Sequence, residues 1–301
     1  MKVKVIPIKS KQKKVAELLG RYFTILSEKE IKSNKLKRDV LQNLFTQIIR
    51  ENNKIAQKDR YDNFFDFKKK NDKVPIVKFK KFLKGVDQLA ININKEIRKP
   101  DKDFYKSCKK MKIPEDIYSV LGSKNPKFKE YIKQIKIKAI SDYYPSARYD
   151  KKTNKVVISA NKKANAGNIM DFVHELGHVV SILDLIQKNK DPLKKSRFWH
   201  ESQALAFQYK YLAPLSPEFI HIWKRSVLGN FATTLFEYNI YNNSDQKFSN
   251  AYARAVNKCY LTKQKMNGDY IFYELLLKRP CSTIVQSVAQ FDLLMAPPPA
   301  R

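Results

Sequence analysis

The stretch "DFVHELGHVV", residues 171–180, decides how this chain is read. It holds two of the four histidines in the whole sequence, four residues apart around a glutamate. Random placement of the same His and Glu residues over 301 positions would give His-Glu-x-x-His about 0.002 times per chain. At helical period, Phe172, Val173, Leu176, Val179, Val180 and Leu183 fall on one side. Asp171, His174, Glu175 and His178 share an arc of about 100° on the other. Two imidazoles one turn apart can hold the same ion, and Glu175 between them is left free to polarise a water. Gly177 lies in the same run, where the lack of a side chain lets another element pack closely.

A catalytic zinc site takes three protein ligands and a water, so two histidines leave it incomplete. The segment "RFWHESQALAFQYKYLAP", residues 197–214, reads as a helix and carries Glu201, 23 residues after His178. That spacing allows one loop and a return along an antiparallel helix. Asp191 and Pro192 mark a start for it and Pro214 an end. His200 is the rival third ligand. Adjacent residues on a helix diverge by about 100°, so only one of the pair can face the ion.

The rest of the chain bounds what surrounds this site. Its 301 residues, 43% hydrophobic and 12% aromatic, suffice for a folded core. Only 7 glycines and many periodic segments predict a mainly helical chain with a small β-sheet. Amphipathic helices are expected over 11–27, 35–57, 75–98 and 125–140. "SARYDKKTNKVVIS" reads as a hairpin, with strands at Ala147–Tyr149 and Lys155–Ser159. "APLSP" (213–217) and "NNSDQ" (242–246) break the later helices, and the terminal "APPPAR" cannot be helical. These shifts divide the chain into a basic helical region over 1–140 and a second region over 141–301.

No apolar run reaches the roughly 18 residues a membrane span requires. The basic N-terminus lacks the apolar core of a secretory signal, and three scattered cysteines, Cys108, Cys259 and Cys281, suggest reduced thiols. An intracellular, cytoplasmic setting is expected, with organelle or particle association left open. Net charge is +31, of which residues 1–150 carry +21 through 39 Lys and Arg against 18 Asp and Glu. Such a surface would attract nucleic acid or another polyanion, although a Lys-rich composition alone accounts for much of it. "DNFFDFKKK" (62–70) could stack on a nucleic acid strand, but aromatics this dense more often build core.

"HELGH" (174–178) with "HESQ" (200–203) resembles the gluzincin metallopeptidases, in which a glutamate from a following helix is the third zinc ligand. "HESQ" is similar to the corresponding segment of Taq-type carboxypeptidases, relatives of the thimet oligopeptidases. Glu201, Ala204, Phe207 and Pro214 after the motif are similar to the ImmA/IrrE peptidases. The resemblance covers about residues 145–215 and makes 141–301 a zincin-like metallopeptidase domain. It implies one Zn2+ held by His174, His178 and Glu201, with Glu175 as general base, and a peptide or protein substrate. It also implies that an edge strand before the motif, here Lys155–Ser159, pairs with the substrate, and that Tyr270, Tyr273 or His221 steadies the oxyanion. The rival expectation is a basic nucleic-acid-binding or assembly protein on the same scaffold.

Overall fold

A computed structural model describes residues 13–27, 35–139, 146–150, 153, 155–161, 163–244, 246–261, 276 and 280–296. Among these the chain is mainly helical with one small sheet. The helices are α1 (Lys13–Leu26), α2 (Lys35–Lys58), α3 (Phe64–Asn71), α4 (Ile76–Glu96), α5 (Lys102–Lys110) and α6 (Glu115–Lys124). They continue with α7 (Pro126–Ile132), α8 (Ala166–Gln187), α9 (Arg197–Leu215), α10 (Glu218–Asn242), α11 (Phe248–Tyr260) and α12 (Thr283–Met295). Strands β1 (Ile135–Ala139), β2 (Ser146–Asp150) and β3 (Lys155–Ala160) form the sheet in the order β1-β3-β2. No helix among the described residues is long and apolar enough to cross a membrane.

Two expectations change here. The segment 125–140 is not one helix, because α7 stops at Ile132 and "IKIKA" extends as β1. Its alternation of Ile135, Ile137 and Ala139 with Lys136 and Lys138 has the period of a strand, and β1 pairs in parallel with β3 from Ile135↔Val156 to Ala139↔Ala160. Second, β2 and β3 do pair antiparallel, but Lys155–Ser159 lies in the central strand. Both edges of β3 are occupied, so no substrate strand can add to it. β1 and β2 hold the two edges instead.

The chain forms two compact units, one from 92–227 and 289–301, the other from 2–91 and 228–288. In the second, Tyr22, Phe45, Phe65, Phe82, Phe231 and Phe236 are fully buried. The aromatics of "DNFFDFKKK" belong to this packing. Phe65 meets the rings of Phe79 and Tyr238 at 5.5 and 5.4 Å, and Phe64 meets Tyr241 at 5.5 Å. Asn63 caps α3 by accepting from the Asp66 N–H, and Lys68, Lys69 and Lys70 fall in its last turn. Phe65 is part of the core, while Phe64 and Phe67 are half-buried against neighbouring rings.

The unit made by 92–227 and 289–301 contains the sheet and the motif helix. Asn165 caps α8 by accepting from the Asn168 N–H, and α8 buries Phe172, Val173, Leu176, Val179 and Leu183. Asn189, with φ of 53°, turns the chain out of the helix, where an Asn tolerates the left-handed region. Asp191–Pro192 opens a short 3-10 turn over Pro192–Lys194 rather than α9 itself, which is capped by Ser196 through the Trp199 N–H. Gln208 of α9 donates to the Met170 carbonyl of α8 and accepts from Trp223 Nε1 of α10, both at 2.8 Å. This buried amide, satisfied on both sides, fixes the pairing of α9 with α8.

Glu237, in the other unit, is a buried carboxyl that accepts from the Cys281 N–H at 2.6 Å and the Thr283 hydroxyl at 3.2 Å. Burial pushes its pKa from 4.5 up to about 8, with those two donors only partly opposing the rise. A folded-state pKa raised above the unfolded value means the folded chain holds a proton that the unfolded chain releases. The stability this confers is full below pH 4.5 and is lost as the pH rises toward 8, at about 1.4 kcal/mol per pH unit at most. Glu237→Gln is expected to flatten that slope between pH 5 and 8. Urea denaturation of parent and variant at several pH values checks it, and an unchanged slope would refute the assignment.

Candidate metal centre

Position on α8 determines which side chains can converge. His174 and His178 lie one turn apart, with ring centroids 4.8 Å apart and planes at 90°. Donor atoms of His174, Glu175 and His178 all lie within 4.8 Å of one another. α9 returns antiparallel and brings the Glu201 carboxylate between the rings. Glu201 Oε2 lies 3.4 Å from His174 Nε2, and Oε1 lies 3.8 Å from His178 Nε2. These three side chains are only 13%, 15% and 14% exposed, so the cluster is sheltered.

His200 does not compete. Its Nε2 lies 3.0 Å from the Pro192 carbonyl, and its ring packs edge-on to Trp199. The divergence of neighbouring helical residues thus sends Glu201 to the imidazoles and His200 to the 3-10 turn. His221 stands on α10 with a buried Nδ1 that has no hydrogen-bond partner, and no hydrogen bond or ion pair joins it to the cluster. Tyr270 and Tyr273 lie outside the described residues.

The approach of α9 depends on Gly177. A Cβ there would meet Ala204 Cα at 2.7 Å, the Ala204 carbonyl oxygen at 2.8 Å and Phe207 Cβ at 3.0 Å. Backbone lies where any larger residue would need room. Glu201 is one turn before Ala204, so this contact sets how near its carboxylate comes to the histidines.

Electrostatics polarises the cluster. Burial pushes His178 down to about 3, helped by the charge of His174, which leaves it neutral with a lone pair to offer. Burial opposes charge on His174 too, but the contact with Glu201 and the charges of Glu201, Glu175 and Asp171 outweigh it and lift the ring to about 8. Glu201 resists desolvation through those imidazoles and falls to about 2, so it stays anionic. Burial raises Glu175 to about 7, opposed by His174 and by the Ala147 backbone of β2. Sequence alone gave no sign of that strand contact, which arises from the chain folding back.

Two imidazoles and a carboxylate are a donor set suited to zinc, which would displace the proton held on His174. Glu201 Oε2 is buried without a hydrogen-bond partner, which a bound cation would satisfy. The residues therefore fit a metal ion.

The α+β fold has counterparts among solved structures. It is similar to a 3.1 Å X-ray structure described as oligoendopeptidase F, with a TM-score of 0.64 and 12% identity over 94% of this chain. It is also similar to PZ peptidase A with an inhibitor, at 0.62 and 12% over 95%. A third structure, described as oligoendopeptidase F from Bacillus anthracis str. Ames, matches at 0.56 and 12% over 92%. The chain spans 65%, 64% and 58% of those three proteins, less than two thirds of each. No protein-family model and no curated protein matches the sequence.

Gly177→Ala is expected to destabilise the fold by about 1–3 kcal/mol, the usual range for overpacking, and to weaken zinc binding at least tenfold as Glu201 is pushed away. Thermal melting and chelator competition measure the two effects. Parent-like zinc affinity in a folded variant would show that the helix contact does not set the ligand geometry.

Proposed function

We propose that this chain is a zinc-dependent peptidase that hydrolyses peptide bonds at the α8–α9 cluster. The observation that carries the reading is the convergence of His174, His178 and Glu201 from two helices, with Glu175 beside them. His174, His178 and Glu201 would hold the ion. When bound, zinc supplies Lewis acidity and lowers the pKa of water to near neutral.

Glu175 performs the proton work. Its carboxyl is buried beside the cluster, and burial pushes its pKa up from the usual carboxylate range. It takes a proton from the attacking water as the new C–O bond forms at the peptide carbonyl, then gives that proton to the departing amine nitrogen as the C–N bond breaks. The Ala147 backbone of β2 lies near Glu175 and favours its charged form. Because β2 is an edge strand that packs against α8, an extended peptide laid along it would present its carbonyl to Glu175.

Glu175→Gln is expected to retain one equivalent of zinc by elemental analysis and to lose hydrolysis of quenched peptides by about 10²–10⁴-fold. Chelation of the parent should abolish cleavage, and zinc should restore it. A Gln variant that cuts at the parental rate would overturn the assignment of Glu175.

A further inference from the structure

We propose that Asp171 recognises a positively charged group on the peptide substrate, an α-ammonium or a Lys or Arg side chain, beside the metal cluster. The proposal rests on the peptidase reading above and adds the substrate chemistry. Asp171 is three residues before His174 and four before Glu175 on α8, so it stands on the same helix face one turn closer to the N-terminus. The cluster itself is sheltered, but Asp171 is exposed, which places it at the mouth of the site. Protein mass around it still raises its pKa, with His174 opposing, and its charge is felt at both His174 and Glu175.

Among the described residues Asp171 has no partner, and unlike other such exposed acids, for example Asp39 on α2 and Glu130 on α7, it lies one turn from the cluster on α8. The chain has 60 Lys and Arg for 29 Asp and Glu, and acidic residues such as Asp66, Asp103 and Asp184 are paired with lysines. Asp171 has no hydrogen bond or ion pair among the described residues. A role in capping α8 does not account for it, since the helix begins at Ala166 and the dipole acts within the first turn. An unmatched anion on the wall along which a β2-aligned peptide would pass favours a cationic substrate group there.

Quenched peptides in matched pairs test this on the full zinc-loaded chain: free against acetylated N-terminus in one arm, and Lys against Gln at successive internal positions in the other. The parent is expected to prefer the cationic member of at least one arm by about fivefold in kcat/KM, mostly through KM. That arm tells whether the recognised group is the α-ammonium or a side chain. Asp171→Asn should bring the ratio close to one, and Asp171→Lys should invert it for a Glu-containing peptide. Asp103→Asn, the same charge change on α5, should leave the ratio as it is. Anisotropy of the same labelled peptides with metal-free protein gives a readout independent of turnover. No cation preference in either arm, or a preference that survives Asp171→Asn, overturns the proposal. Asp171-dependent binding without any hydrolysis by the parent would uphold it and overturn the peptidase reading alone.

Discussion

The close passage of α9 over Gly177 is the constraint on which the rest of the site depends. Ala204 backbone occupies the place where a side chain would stand, and one turn away Glu201 drops between two imidazoles. Gln208, a turn further along α9, locks the same helix to the Met170 carbonyl and to Trp223. The two contacts hold α9 to α8 at successive turns of α9. A ligand contributed by a second helix is only as well placed as that packing, because one residue of slip would turn Glu201 by about 100° and present a neighbour instead.

Such packing also concentrates charge where solvent cannot screen it. Two imidazoles and two carboxylates share a small sheltered volume, and burial works against the charged form of each. The balance leaves Glu201 anionic and His178 neutral, while Glu175 sits near neutrality. This separation of two nearby glutamates, one held anionic and one raised toward neutrality, follows from their neighbours: Glu201 lies against both imidazoles, whereas Glu175 is dominated by burial.

Much of this was legible in the sequence. The helices over 13–26, 35–58 and 76–96 follow from apolar spacing, and the convergence of His174, His178 and Glu201 was foreshadowed by two short motifs. The sheet was less legible. "IKIKA" is short enough to continue a helical pattern begun at Pro126, and only its parallel pairing with β3 favours the extended form. Without β1 in view, β3 was expected at the edge, although it is flanked on both sides. Likewise Asp191–Pro192 has the chemistry of a helix start but opens a 3-10 turn, leaving Ser196 to cap α9.

By itself the sequence determined which residue types could bind a metal and at what helical spacing, since a turn of helix is a local property set by the backbone. It also set the choice between Glu201 and His200 as a question with only one answer. The tertiary structure decided that answer, the order of the strands, the strand backbone that lies near Glu175 and the isolation of Asp171. These depend on contacts between segments far apart in the chain, where no local period or propensity carries the information.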